Sequence, residues 1–254
     1  MVLKIKHFVI FITIIGGASC KQESAVLKEI TGKQLTIDSA IVAADSIDTF
    51  VTPYRDRVNE VLDSTLAYAP MTISKEDGEY NTSAGNLMAD IVLEMAKPIF
   101  KARTKKDIDF AVLNHGGIRS IISAGNVTAR TAYEVMPFEN TIVVVALDGR
   151  SVRELISFLI NSDRPHPIAG MQIQLDKNDS LQSVNIQEEP FNENRIYYVA
   201  TSNYLVSGGD NMGFFKHGTN VTETEYKIRN AIIDYFKKMD TILPIVDDRF
   251  IKLD

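Results

Sequence analysis

Phe110-Ala111-Val112-Leu113-Asn114-His115-Gly116-Gly117-Ile118-Arg119 passes without a break from four apolar residues into a polar loop with two glycines. A short apolar run of this kind is expected of a buried strand whose end delivers a loop. Gly116 and Gly117 lack a Cβ and tolerate positive φ, so another group can approach their backbone closely. Asn114 supplies amide donors and an acceptor, and Arg119 a planar fork suited to bidentate phosphate contacts. The same residues also suit a plain strand-to-helix turn with a surface arginine, and taken alone the stretch favours that turn.

Outward from this stretch, strands and helices interleave. Downstream, the Val-rich run Thr141 to Leu147 reads as a strand, and Asp148-Gly149 turns into a helix carrying Val152, Leu155, Ile156 and Leu159. Further strands are expected over 171–175, 181–186 and 196–200, then an amphipathic helix from about Glu223 to Met239 and a sheet-closing segment over 249–253. Upstream, Thr82 or Ser83 can cap a helix with Leu87, Met88, Ile91, Val92 and Met95 on one face, limited by Pro98. From Ser46, apolar residues recur at Ile47, Phe50, Val51, Tyr54, Val58, Val61, Leu62 and Leu66. That is helical spacing, with Pro53 within the first two turns, where proline is best tolerated. The segment before it, 21–45, reads as a tether and lead-in, with Leu35 and Ile37 hinting at a strand. The class is α/β (α+β), and periodicity alone does not fix the strand order.

Two more segments share the chemistry of the first. Phe138 follows Pro137 and precedes Glu139-Asn140, a turn-like setting that leaves an aromatic partly exposed, although a single Phe is more often core. In Ser202-Asn203-Tyr204-Leu205-Val206-Ser207-Gly208-Gly209-Asp210, Tyr204 sits six residues before Asp210 and the glycines between them prevent continuous regular structure. Two aromatics from separate loops can sandwich a base, a contact worth roughly 1–3 kcal/mol per base. An ionised Asp210 can accept from two hydroxyls, or serve as a helix cap or Asx-turn.

Taken together and in this order, the three segments resemble the C-terminal, substrate-binding domain of the 5'-nucleotidase family, whose members hydrolyse nucleoside monophosphates and related phosphate esters. The resemblance covers 46–254 and implies a layered domain with sheets sandwiched between helices, entered through a linker-type helix over 46–68. It implies a substrate site of Asn114, Gly116, Gly117, Arg119, Phe138, Tyr204, Gly208, Gly209 and Asp210. Asn114 and Arg119 would contact substrate, Phe138 and Tyr204 stack on the base, and Asp210 hold the ribose. Family members usually carry a basic residue shortly before the segment corresponding to Gly85-Asn86-Leu87. Here Asp77-Gly78-Glu79-Tyr80 stands there, with Lys75 the nearest cation, so phosphate contact would rest mainly on Arg119.

The family mechanism needs two metal ions held by several His, Asp and Asn ligands. The histidines here are His7, His115, His166 and His217, no pair of which has ligand spacing, and His166 sits in the turn-like Arg164-Pro165-His166-Pro167. No Gly-x-Ser-x-Gly elbow, P-loop or dinucleotide fingerprint occurs. Neither catalytic nor metal-ligating residues are therefore assigned, and divalent metals are expected only in a separately encoded metallophosphatase partner. The alternatives are a stand-alone nucleotide- or nucleoside-binding lipoprotein and a degenerate interaction module. The acidic Asp77-Gly78-Glu79 segment favours the latter.

Lys4, Lys6 and His7, the apolar run from Phe8 to Ile15 and the small residues Gly16-Gly17-Ala18-Ser19 read as a signal peptide over 1–20. Cys20, the sole cysteine, then stands where bacterial lipoproteins are acylated, although Gly17 replaces the usual aliphatic residue. The expectation is an exported, lipid-anchored protein of the cell envelope, periplasmic or at the cell surface. A formal charge of -6 and a pI near 5.3 argue against a nucleic acid polymer as partner.

Overall fold

The computed structural model describes residues 27–253. The segment read as a signal peptide, Cys20 and the first residues of the expected tether lie outside them. Contacts divide the chain into residues up to Phe50 and residues from Val51 onward. In the first unit, 27–44 contains no strand, and the Leu35–Ile37 hint is not realised, since no strand among the described residues pairs with it. Helix α1 spans Asp45–Leu62 and none of its residues is buried. It ends earlier than the expected 68: after Asp63 and Ser64, strand β1 (Thr65–Ala69) pairs antiparallel with β3 (Gly125–Thr128), and alternate residues turn inward. Arg130, which opens α3 (Ala129–Val135), clasps the end of α1 by donating to Asp63 Oδ1 at 2.5 Å and Asn59 Oδ1 at 2.8 Å.

The centre of the second unit is a five-stranded sheet in the order β10-β4-β9-β2-β5, formed by β2 (Phe110–Val112), β4 (Thr141–Asp148), β5 (Ile168–Ala169), β9 (Ile196–Ser202) and β10 (Thr219–Lys227). Both faces of its inner strands are covered, which is why β2 and β4 read as unbroken apolar runs. On β4, Ile142 and Val144 face one core with α2 (Ser83–Thr104) and α6 (Ile228–Lys238). Val143, Val145 and Leu147 face the other, with α4 (Gly149–Ile160), Leu205 of the short helix α5 (Asn203–Val206) and a second sheet. Each of these fully buried side chains contributes about 1.5–3 kcal/mol. The second sheet has the order β11-β6-β7-β8, from β6 (Met171–Leu175), β7 (Leu181–Ile186), β8 (Glu189–Pro190) and β11 (Phe250–Lys252). The layers are thus helices, central sheet, then a helix and a second sheet, a mixed α/β fold as the sequence implied.

Three local readings are corrected. Helix α2 does not stop at Pro98 but runs on to Thr104, where Lys105 caps it at φ 63. Phe100 and Ala96, both buried, hold the last turns in the core and offset the hydrogen bond that Pro98 cannot donate. Pro53 likewise lies past the second turn of α1. The stretch 223–227 is not helical: Thr224 is buried and its hydroxyl donates to Ile142 O at 2.6 Å, so the period-two pattern of Thr222, Thr224 and Tyr226 makes the edge strand β10. The helix begins at Ile228.

The Gly85-Asn86-Leu87 segment and the acidic segment before it are structural. Thr82 caps α2 by accepting from Gly85 N, and Asp77 accepts from Ser83 N at 2.9 Å and from the Ser83 hydroxyl. Asn86 donates to Asn81 Oδ1 and Ile245 O, and Asn81 donates to Asp247 O and Phe250 O. Arg249 then bridges Asp247 and Asp90. This network ties the C-terminal strand to the start of α2. Asp77, which had favoured an interaction module, is thereby accounted for as a cap.

Candidate functional site

The three segments singled out in the sequence leave the central sheet at one end. β2 and β9 are parallel neighbours, with Ala111 opposite Ala200, so Asn114 and Tyr204 emerge side by side beyond their carboxyl ends. β4 runs antiparallel to β9 with Ile142 opposite Ser202, which brings Phe138 to the same end. β10 delivers Arg229 there, since Lys227 lies opposite Thr141, and β5, starting at Ile168, delivers His166. Loops beyond the carboxyl ends of parallel strands are where open α/β sheets bind ligands.

Asn114, Gly116, Gly117, Arg119, Phe138, Asn140, Tyr204 and Asp210 line a cleft of about 290 Å³ at this end, near the lower bound of about 300 Å³ for small-ligand pockets. Phe138 and Tyr204 are 39% and 42% exposed, which leaves ring surface free for a stacking ligand. Asp210 is the hub. Asn114 Nδ2 donates to its Oδ2 at 2.6 Å and the Tyr204 hydroxyl to its Oδ1 at 3.0 Å. The hydrogen bond to Asp210, with its charge, raises the Tyr204 pKa. A carboxylate offers about four lone-pair sites, so two remain for hydroxyl donors. Asp210 adopts φ 49, a left-handed conformation that costs a non-glycine residue of order 1–3 kcal/mol and that clusters at ligand sites.

The glycines act through space rather than through positive φ. Neither Gly116 nor Gly117 has a left-handed φ. A Cβ on Gly117 would lie 3.0 Å from Asn114 Oδ1, and one on Gly116 would lie 3.4 Å from Asp210 Oδ2. Gly208 and Gly209 do not line the cleft. A Cβ on Gly209 would come within 2.4 Å of the Tyr204 ring, so this glycine seats the aromatic, while Gly208 supplies the turn at φ 94. Arg119 is exposed, donates to Gly116 O at 3.3 Å and lies 5.9 Å from the Phe138 ring centroid.

Two histidines support the loop rather than line the cleft. His115 is buried, its Nδ1 meets Pro165 O at 3.2 Å, and its backbone N–H donates to His166 Nδ1 at 3.2 Å. Burial, helped by the nearby His115, pushes the His166 pKa down to about 4, against a smaller upward pull from Asp210. An acceptor Nδ1 and a neutral ring are therefore the working state, and His166 is no mere turn residue. Asn140 and Arg229 were missed in the sequence. A lone Asn and an Arg inside a helical pattern carry no motif, and only the strand register brings them here. Among the described residues, no group of three or more His, Cys, Asp or Glu is placed to hold a metal ion.

The 5'-nucleotidase C-terminal domain family model matches residues 63–217. The trifunctional nucleotide phosphoesterase protein YfkN of Bacillus subtilis is 27% identical over 77% of this chain and 14% of its own length. The cell wall protein Lmo0130 of Listeria monocytogenes is 26% identical over 80% of this chain and 28% of its own. The chain thus spans less than a third of these relatives. Among solved structures, the 5'-nucleotidase precursor of Thermus thermophilus superposes with a TM-score of 0.68 at 23% identity, covering 82% of this chain and 43% of that one. That likeness concerns the fold.

Proposed function

Since the chain belongs to the 5'-nucleotidase C-terminal domain family, we propose that it is the nucleotide-binding part of a 5'-nucleotidase-type hydrolase of nucleotide catabolism. The observation that carries this is the cleft: two exposed aromatics, Phe138 and Tyr204, flank a carboxylate, Asp210, that keeps two acceptor sites free. The aromatics hold the base, Asp210 takes the ribose hydroxyls, and Arg119, the one cation among the cleft-lining residues, meets the phosphate. The ligand is a nucleoside monophosphate or a related phosphate ester. Hydrolysis falls to a separately encoded metallophosphatase that brings the divalent metals, and the residues described here bind and orient the ester for it.

Calorimetric titration with AMP, adenosine and adenine tests the assignment. Arg119→Ala should weaken AMP far more than adenosine, by about 1.5–3 kcal/mol. Asp210→Asn should weaken AMP and adenosine equally and spare adenine. No binding of any of the three overturns the nucleotide reading. Robust metal-dependent AMP hydrolysis by the purified chain overturns the two-chain arrangement, and phosphate-independent binding with no stimulation of any phosphatase favours a nucleoside receptor.

The cell-envelope proposal rests on the basic start, apolar run and Cys20 of the sequence and is supported by the relative named a cell wall protein. Among the described residues, no helix is long and apolar enough to cross a membrane. Cys20→Ser should release the protein from membranes, and unchanged association would remove Cys20 as the anchor.

A further inference from the structure

We propose that Arg229 is the positioning residue that fixes Phe138 for the base, an inference that rests on the nucleotide reading of the cleft. Arg229 is the second residue of α6 and only 5% exposed. The helix gains nothing from it there. The first turn is the positive end of the helix dipole, where a cation is unfavourable. α6 has no acidic residue in that turn, and Lys227 caps it without a side-chain hydrogen bond. Burying a guanidinium is costly as well unless its donors are met.

What meets them is the loop that carries the aromatic. Arg229 Nη1 donates to Pro137 O at 3.2 Å and to Phe138 O at 3.3 Å, and Nη2 pairs with the Glu139 carboxylate. The Tyr133 ring covers the guanidinium, with its centroid 4.2 Å away. One planar fork thus grips three consecutive residues, a geometry that the point charge of a lysine does not reproduce. Its Nε stays without a protein partner, so the side chain is placed for the loop at the expense of one of its own donors. The neighbouring contacts continue the clamp. Ile228 N donates to Asn140 O at 3.0 Å, and Thr141 N donates to the side chain of Asn203 at 3.2 Å, next to Tyr204. The backbone of Phe138 is thereby registered against the second aromatic, and Arg229 acts on the base through Phe138 without touching it.

The test uses the full chain and 1,N6-ethenoadenosine, whose fluorescence reads base stacking against a protein without tryptophan. Ribose 5-phosphate, measured by calorimetry, is the base-free ligand. Arg229→Lys should raise the ethenoadenosine Kd about tenfold and leave that of ribose 5-phosphate within about twofold. In a Phe138→Ala background, Arg229→Lys should add nothing, because coupled residues are non-additive. The inference is overturned if Arg229→Lys changes neither ligand, weakens both alike, or keeps its full effect without Phe138. Should Arg229→Lys not fold, Glu139→Gln removes one exposed anchor of the same fork. An ethenoadenosine-specific loss of about threefold supports the clamp, and no change overturns it. Failure of the wild type to bind ethenoadenosine is a separate result that overturns the nucleotide reading and this inference with it.

Discussion

The network around Asn86 and the network around Asp210 are built from the same kinds of side chain, yet one is shut and the other open. Asn86 is 1% exposed, and its amide nitrogen, Asn81, Asp247, Arg249 and Asp90 spend their hydrogen bonds on one another and on backbone carbonyls, while the Asn86 amide oxygen stays buried without a partner. Asp210 and Arg119 are exposed and keep unused acceptors and donors toward the cleft. Asn, Asp, Arg and Gly therefore announce polar chemistry without saying whom it serves. Exposure and spare hydrogen-bonding capacity separate a fastening from a ligand site.

Removing Arg249 should have the largest effect and touch only the shut network. Arg249→Met leaves Asp90 and Asp247 facing each other and should cost about 3–4 kcal/mol, the lower part of the usual loss because Asp90 keeps contact with water. Chemical denaturation measures this. Adenosine affinity of the folded fraction should not move, and a parallel loss would mean that the networks are coupled.

His166 sits between the two and gives the comparison a pH dependence. Its folded-state pKa of about 4 lies below the ordinary 6.5, so the stability it confers is full above pH 6.5 and is lost as pH falls toward 4. Protonation also removes the acceptor for His115 N–H. Stability should drop by up to roughly 3 kcal/mol across that window, and His166→Gln should flatten the curve. An unchanged curve would place the titrating groups elsewhere.

Substitutions in the open network should spare the fold. Phe138→Ala or Tyr204→Ala should weaken adenosine binding by roughly 1–3 kcal/mol with a nearly constant Tm. A large fall in Tm with intact binding would reassign the aromatic to the core. The smallest effect belongs to Gly117→Ala. The added methyl crowds Asn114 and disturbs its bond to Asp210, so affinity should fall by less than about 1 kcal/mol while stability stays within about 0.5 kcal/mol.

The fold was legible where burial on both faces wrote itself as apolar runs, at 110–113 and 141–147, and where caps stood at Thr82 and Asp148. It was misread where tertiary packing overrode a local signal. Pro98 reads as a stop until Phe100 is seen in the core, and the polar alternation of β10 passes for a helix until Thr224 is seen to bond β4. Seven of the nine expected site residues line the cleft. The other two, Gly208 and Gly209, shape the turn beneath Tyr204. Asn140 and Arg229 were invisible because their part depends on strand register, which a single sequence does not display.

The pairing of β2 with β9 has a mechanical consequence. Asn114 and Tyr204 each stand two residues past the ends of adjacent strands about 4.8 Å apart, and Asp210 buckles the two segments together. On the nucleotide reading, the opening acts as a gauge rather than a trap: little ordering would remain when a ligand arrives, because the sheet that spaces it was set when the chain folded.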